Sequence, residues 1–166
     1  MTRTDFAGMA CSIARSAALI GDPWSLLVVR DIALGLRRFD ELQQDLGVAT
    51  NTLTDRLERL VTGGVLVRER YSRRPDRYEY ALTEKGRQLV PILLALTAWG
   101  DRWESAEEGP PLVVRHHTCG EVATAEVTCS ACGDPVALSQ VDFHAGPGGR
   151  TDRGTALLST RLGPRT

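Results

Sequence analysis

The feature that constrains this chain most is a change of hydrophobic period near residue 64. Before it, apolar residues recur at helical spacing in short runs separated by glycines. After it, residues 65–71 and 77–82 alternate and are rich in β-branched and aromatic side chains, with the turn-forming segment 72–76 between them. The order therefore predicts several short helices followed by one β-hairpin.

Four helices are predicted before the hairpin and one after it. The second is apolar on nearly every side, which indicates a buried helix. The fourth carries Leu53, Leu57, Leu60 and Val61 on one face, and Thr83 is a plausible cap for the last helix. The predicted helices cover residues 11–19, 23–34, 39–46, 50–62 and 84–104.

Short helices followed by a two-stranded ribbon are the order of a winged helix-turn-helix domain, a mainly α fold with a β-hairpin wing. In that fold the last short helix enters the major groove of DNA, and the hairpin contacts the backbone. We assign residues 1–108 to this domain. Double-stranded DNA is therefore the predicted partner.

The charge pattern agrees with that order. The whole chain has a net charge of -1, yet seven arginines stand against three acids between residues 56 and 77. Arginines can pair with phosphates, and Asn and Thr can reach base edges. The alternative is that these arginines only solvate a surface. The predicted DNA-contacting residues are Thr50, Asn51, Thr52, Thr54, Arg56, Arg59, Arg73, Arg74 and Arg77.

Several spaced motifs in residues 11–104 resemble the HxlR-type transcription regulators. They are Cys11–Arg15, Ile20–Asp31, Arg38–Leu42, Leu53–Leu57 and Tyr78–Gly86. Ser12 stands where the family usually has proline. The resemblance implies a homodimer formed by the first and last helices, with one recognition helix on each half of a near-palindromic operator, and it favours repression.

Cys11 opens the first predicted helix, where unpaired backbone N–H groups favour the reactive thiolate. The resembled family includes sensors of oxidants and electrophiles that use a cysteine at this position, so a redox or small-molecule effector is one interpretation. The other is that Cys11 is a small apolar residue packed at the dimer interface.

A second cysteine-containing pattern lies beyond the linker 105–111. His116-x2-Cys119-Gly and Cys129-x2-Cys132-Gly repeat the same spacing, and nine residues separate the two halves. Two residues between donors let a tight turn direct both at one metal ion. The pattern predicts a zinc-ribbon-like β module over 112–140 holding one structural Zn²⁺. The alternative is a vestigial ribbon with free thiols, and His117 and His144 are interpreted as surface residues.

The remaining expectations concern the class of protein. Residues 141–166 are predicted to form a flexible tail, since little in them can be buried. No signal peptide or membrane span is found, and cytoplasmic residence is expected. We find no nucleophile paired with a general base, so the sequence does not indicate an enzyme. The rival hypothesis is a protein-interaction module that recruits partners through the ribbon and tail.

Overall fold

The architecture is mainly helical, with one two-stranded antiparallel sheet. The computed structural model describes residues 6, 8–151 and 153–162. Its elements are α1 Ser12–Ile20, α2 Pro23–Ala33, α3 Phe39–Leu46, α4 Thr50–Thr62, β1 Leu66–Arg73, β2 Asp76–Leu82, α5 Glu84–Arg87, α6 Val90–Trp103, a 3₁₀ turn Leu138–Gln140 and α7 Leu158–Arg161. The predicted winged helix-turn-helix architecture is confirmed.

One apolar core lies between α2, α3, α4 and the hairpin. Its fully buried members include Val28 and Val29 from α2 and Leu42 from α3. The predicted leucine face of α4 points into this core, and Val61 lies at its margin. Among the described residues, the buried hydrophobic side chains are Val28, Val29, Ile32, Leu42, Val48, Leu53, Leu57, Leu60, Val65, Leu66 and Tyr80.

The start of α2 is fixed by its capping residue. Asp22 has extended backbone geometry, and its side chain accepts a hydrogen bond of 3.0 Å from the backbone N–H of Ser25. Pro23 occupies the first helical turn, where its missing N–H costs nothing. The cap orients a helix whose buried side is formed by Ser25, Val28, Val29, Asp31 and Ile32.

The wing pairs Leu66 with Leu82 at its base and Arg73 with Asp76 at its tip. A shift of register occurs between Arg70 and Ser72. A third segment joins the edge of β2, because Arg38 forms a bridge with Glu79. The loop between α2 and α3 is thereby tied to the wing.

The prediction of a single last helix over 84–104 is wrong, because the structure has two helices there. The backbone turns at residues 88–89, immediately before Pro91. Proline has no N–H to donate to the carbonyl of Arg87, and its ring would clash with that carbonyl in a continuous helix. The predicted cap is confirmed, since Thr83 Oγ1 accepts a hydrogen bond of 3.1 Å from the Gly86 N–H.

Beyond α6, the structure contains isolated bridges and turns. Arg115 pairs with Val122, and Thr128 pairs with Pro135. Leu158–Arg161 forms one helical turn within the segment predicted as a flexible tail. The proposed boundaries at 108, 112 and 140, and the flexibility of the tail, stay predictions. No helix in the described ranges is long and apolar enough to cross a bilayer.

Candidate nucleic-acid interface

The polar face of α4 is directed away from the core. Thr50, Asn51 and Thr54 are exposed, whereas Thr52 is half-buried. Thr54 donates its hydroxyl to the Thr50 carbonyl at 2.8 Å, and Asn51 Oδ1 accepts the Thr52 N–H at 2.9 Å. These bonds are local to the helix. Short polar groups on an exposed helix face suit the edges of base pairs.

Arg56 and Arg59 have a different environment from their neighbours on α4. Arg56 Nε lies 2.8 Å from Asp22 Oδ1, and Arg59 Nη2 donates to the carbonyl of Ala18 at 2.9 Å. Both side chains are only 21% exposed. These contacts attach α4 to the C-terminal part of α1 and to the cap of α2. The expectation that both arginines contact DNA stays a prediction.

The wing tip presents the three predicted arginines to solvent. Arg73, Arg74 and Arg77 are all exposed around the tight turn. Lower in the hairpin, Arg70 Nη1 lies 3.4 Å from Asp76 Oδ1, and the guanidinium of Arg68 stacks 3.7 Å from the centre of the Tyr78 ring. Asp76 and Tyr78 contact arginines lower in the hairpin, so the three tip arginines concentrate positive charge at the end of the wing.

Sequence reasoning missed two features that position this face. Asp22 bonds to its own helix and to α4, and Arg38 lies over the ring of Tyr71 at 4.9 Å. The capping pattern Asp-Pro gives a signal for the first role of Asp22. No local pattern reveals its pairing with Arg56, because the two residues meet only through the packing of α2 against α4.

An apolar stripe follows one face of α6. Ile92, Leu96, Trp99 and Trp103 are between 48% and 62% exposed. Their spacing of four, three and four residues places them on one side of a helix. Leu93, on a neighbouring face of the helix, packs against the core. On α1, Ile13 is 80% exposed.

Cys11 is the N-cap residue of α1. Its backbone is extended, with φ -136° and ψ 120°, and its side chain makes no capping hydrogen bond. The carbonyl of Cys11 accepts the N–H of Arg15 at 3.0 Å, the first bond of the helix. Cys11 is half-buried and forms no disulfide in the described structure. Its location confirms the expected start of the first helix.

Two tight turns carry the predicted metal ligands. In the first, the Gly120 N–H donates to the His116 carbonyl at 2.8 Å, and the His116 N–H donates to the Glu121 carbonyl at 2.9 Å. Cys119 Sγ lies 3.4 Å from His116 Nδ1. Gly120 has φ +75°, a left-handed geometry that a residue with a side chain rarely adopts.

The second turn repeats the first. The Gly133 N–H donates to the Cys129 carbonyl at 2.8 Å, and the Cys129 N–H donates to the Asp134 carbonyl at 2.8 Å. Gly133 has φ +82°. The backbone N–H groups of Ala131 and Cys132 lower the pKa of the Cys129 thiol. Over the described ranges, however, no three His, Cys, Asp or Glu side chains gather closely enough to hold a metal ion.

Comparison with known families decides the class of protein. The family model for the HxlR-like helix-turn-helix matches residues 19–108, which contain the helices α2 to α6 and the wing. The chain belongs to the HxlR-like helix-turn-helix family. Like other members of this family, it is a DNA-binding transcription regulator.

Relatives of this HxlR-family chain extend the likeness beyond the domain. An uncharacterised HTH-type transcriptional regulator of Mycobacterium tuberculosis is 42% identical over 137 residues, covering 82% of this chain and 87% of the relative. That match is longer than the 111 residues preceding Leu112, so it reaches into the cysteine-containing segment. A Synechocystis regulator is 40% identical over 101 residues, covering 60% of this chain and 75% of its own.

Solved structures show the same fold. The proposed transcription factor PA1607 superposes with a TM-score of 0.75 at 36% identity, covering 84% of this chain and 98% of its own. The redox regulator HypR, in its oxidised form, gives a TM-score of 0.54 at 31% identity, covering 58% of this chain and 100% of its own. This fold is therefore shared with proteins described as transcription factors.

Proposed function

We propose that this HxlR-family chain is a homodimeric repressor that binds a near-palindromic operator and performs no catalysis. The observation that carries the proposal is the pairing of an exposed Asn and Thr face on α4 with an arginine-rich wing tip in a member of this family. In two-fold symmetric dimers each subunit reads one half-site, which explains operator symmetry.

Within α4, Asn51 and Thr54 are assigned to base edges and Thr50 and Thr52 to the groove margin. An Asn amide can donate to and accept from adenine, and Thr suits several bases. Arg56 and Arg59 hold the helix in place through Asp22 and Ala18 and approach phosphates only from that anchored position.

The wing arginines are assigned to phosphates. Replacing Arg73, Arg74 and Arg77 together with alanine should weaken binding to every DNA sequence. Each lost phosphate contact should lower the slope of log affinity against log salt by about 1. Fluorescence anisotropy with the operator and with a scrambled duplex, over a salt series, measures both effects.

The matched control removes three arginines from the C-terminal tail, Arg150, Arg153 and Arg161. It changes the net charge equally but leaves the wing intact. An unchanged salt slope in the wing variant, or equal losses in both variants, would overturn the wing assignment. Weak binding with little salt dependence in the wild-type chain would instead support a protein-interaction module.

The homodimer is assigned to the apolar stripe of α6 together with the exposed Ile13 of α1. Large exposed apolar side chains aligned along one helix are typical of subunit interfaces. A second copy of this chain is the proposed occupant, because a two-fold axis lets the same stripe cover itself.

The variant L96E places a charge in that stripe. Its dimer dissociation constant should rise about 30-fold or more, since burying an uncompensated charge costs at least about 2 kcal/mol. Sedimentation equilibrium measures it. L34E is the matched control, because Leu34 is 65% exposed at the end of α2, outside the stripe. Equal dissociation constants for L96E and wild type would place the interface elsewhere.

We also propose that oxidation or alkylation of Cys11 changes operator affinity. Cys11 lies at the start of α1 beside the proposed interface, and HypR, a solved relative of the same fold, is a redox regulator. Wild type and C11S are treated with a mild oxidant, and operator affinity is measured before and after treatment. A response confined to the wild type supports sensing, and equal responses assign Cys11 to packing.

A further inference from the structure

The two turns that carry His116, Cys119, Cys129 and Cys132 are related by a shift of 13 residues in every backbone contact described. The bridge between Arg115 and Val122 in the first turn corresponds to the bridge between Thr128 and Pro135 in the second. In the first turn the Ala123 N–H donates to the Val114 carbonyl at 2.9 Å. The corresponding bond of the second turn runs from the Val136 N–H to the Val127 carbonyl, also at 2.9 Å. The chain therefore builds the same knuckle twice.

Each knuckle ends in a glycine with positive φ that directly follows a cysteine. Gly120 follows Cys119, and Gly133 follows Cys132. In both, the N–H of the glycine closes the turn onto the carbonyl of the first donor residue. This geometry brings residues that are three positions apart to the same side of the turn, which is what two donors to one ion require.

The first pair of donors already has the separation of metal ligands. Tetrahedral zinc has Zn–S distances of about 2.3 Å and Zn–N distances of about 2.0 Å, so its sulfur and nitrogen ligands lie about 3.5 Å apart. Cys119 Sγ and His116 Nδ1 are 3.4 Å apart. A hydrogen bond between the Cys119 thiol and the His116 imidazole accounts for this distance without metal, and it holds both donor atoms together.

Burial contributes little to holding these hydrogen-bonded turns. None of residues 112–140 is buried. Val113, Val122 and Val127 are each more than 60% exposed. Fixing about thirty residues costs more conformational entropy than so little apolar contact can offset, so small modules of this kind depend on a disulfide or a metal ion.

The donor set selects the metal. Three thiolates and one imidazole are soft and borderline ligands that favour Zn²⁺, whereas Mg²⁺ and Ca²⁺ require oxygen. Four protein ligands complete a tetrahedron and leave no open position for a substrate, which is the arrangement of a structural site.

We propose that His116, Cys119, Cys129 and Cys132 bind one structural Zn²⁺ per chain, and that binding draws together two knuckles which, in the described residues, do not lie close enough to share an ion. The three cysteines bind as thiolates and release their protons to solvent. His117, one position away from the first donor, stays outside the site. The proposal does not depend on operator binding, because the ligands lie outside residues 19–108, the part matched by the family model.

The test uses the full-length chain without a histidine tag, and its readout is metal content by mass spectrometry. Wild type should hold about one zinc ion per chain. Replacing zinc with Co²⁺ should give the visible bands of a tetrahedral site and charge-transfer bands of cobalt thiolates. The variants C119S, C129S and H116A should each lose at least about ten-fold in metal affinity against a chromogenic chelator.

The matched controls are C11S, which removes the cysteine outside the two knuckles, and H117A, which removes the imidazole next to His116. Both should keep one ion per chain and an unchanged cobalt spectrum. Three results would overturn the proposal: zinc no higher in wild type than in C129S, a disulfide between Cys129 and Cys132 in freshly purified chain, or half an ion per chain shared between subunits.

Discussion

Two regions of this chain are ordered by different means. In the winged helix, Leu42, Leu53, Leu57 and Leu60 are at most 1% exposed and pack into one core. In residues 112–140, hydrogen-bonded turns recur without a single buried side chain. Apolar burial contributes about 25 cal/mol for each Å² removed from water, so the first region can stabilise itself. In our proposal the second region is stabilised by a metal ion, because its own side chains bury so little apolar surface.

Removing metal should break this comparison most severely. If zinc closes the knuckles, a strong chelator should abolish hydrogen-exchange protection of the Gly120 and Gly133 amides, because structural zinc contributes about 10–16 kcal/mol in small peptides. The amides of α4 should keep their protection. Exchange measured by mass spectrometry reports both regions in one sample, and protection that persists at the knuckles would mean that packing holds them.

Truncating one apolar side chain in each region should give opposite results. L57A removes a buried leucine and should lower the free energy of unfolding by about 2–5 kcal/mol. V122A changes a valine that is 61% exposed and should alter it by less than about 0.5 kcal/mol. Urea unfolding followed by far-ultraviolet circular dichroism measures both. A large loss in V122A would reveal a core that the structure does not show.

The leucine face of α4 could be predicted from sequence because helical periodicity is a local property. Leu53, Leu57 and Leu60 recur at intervals of four and three residues, and all three are buried. The hairpin was equally predictable, since its period changes within one segment. The DNA contacts and the zinc ligands are chosen by the same local reasoning and stay predictions.

Other features depend on contacts between residues that are far apart in sequence. The bridge from Arg38 to Glu79 joins a loop to the wing edge, and no local sequence pattern in either segment predicts it. The pairing of Asp22 with Arg56 is likewise tertiary. Pro91, by contrast, was visible in the sequence, and the rule that proline ends a helix would have divided 84–104 correctly.

Asp22 tests how far the winged helix relies on polar links in addition to burial. D22A removes the cap of α2 and one partner of Arg56, and it should cost about 1–3 kcal/mol. D55A is the matched control, because Asp55 also pairs with Arg56 but is 62% exposed, and that pair should be worth about 0–1 kcal/mol. Urea unfolding gives both values. Equal losses would show that Asp22 acts only as another surface charge.

The smallest expected effect concerns the one carboxylate in the core of the described winged helix. Asp31 is 2% exposed, and Arg30 pairs with both Asp31 and Asp45. Burial raises the pKa of Asp31 above its ordinary value of 3.8, although the Arg30 guanidinium opposes this. The folded state therefore binds the proton of Asp31 more tightly than the unfolded state does. Its contribution to stability is complete below the unfolded pKa and is lost as the pH rises through the folded pKa.

Replacing Asp31 with Asn removes that titration. The free energy of unfolding of D31N, minus that of wild type, should therefore rise as the pH increases from about 4 toward neutrality. D45N removes the exposed partner of the same arginine, and since Asp45 is only a minor cause of the raised pKa of Asp31, its difference from wild type should rise less than that of D31N. Urea unfolding at a series of pH values measures both differences. If the difference in free energy of unfolding between D31N and wild type falls with pH, the pairing of Asp31 with Arg30 outweighs the cost of burying the carboxylate. The charged form of Asp31 would then stabilise the folded state.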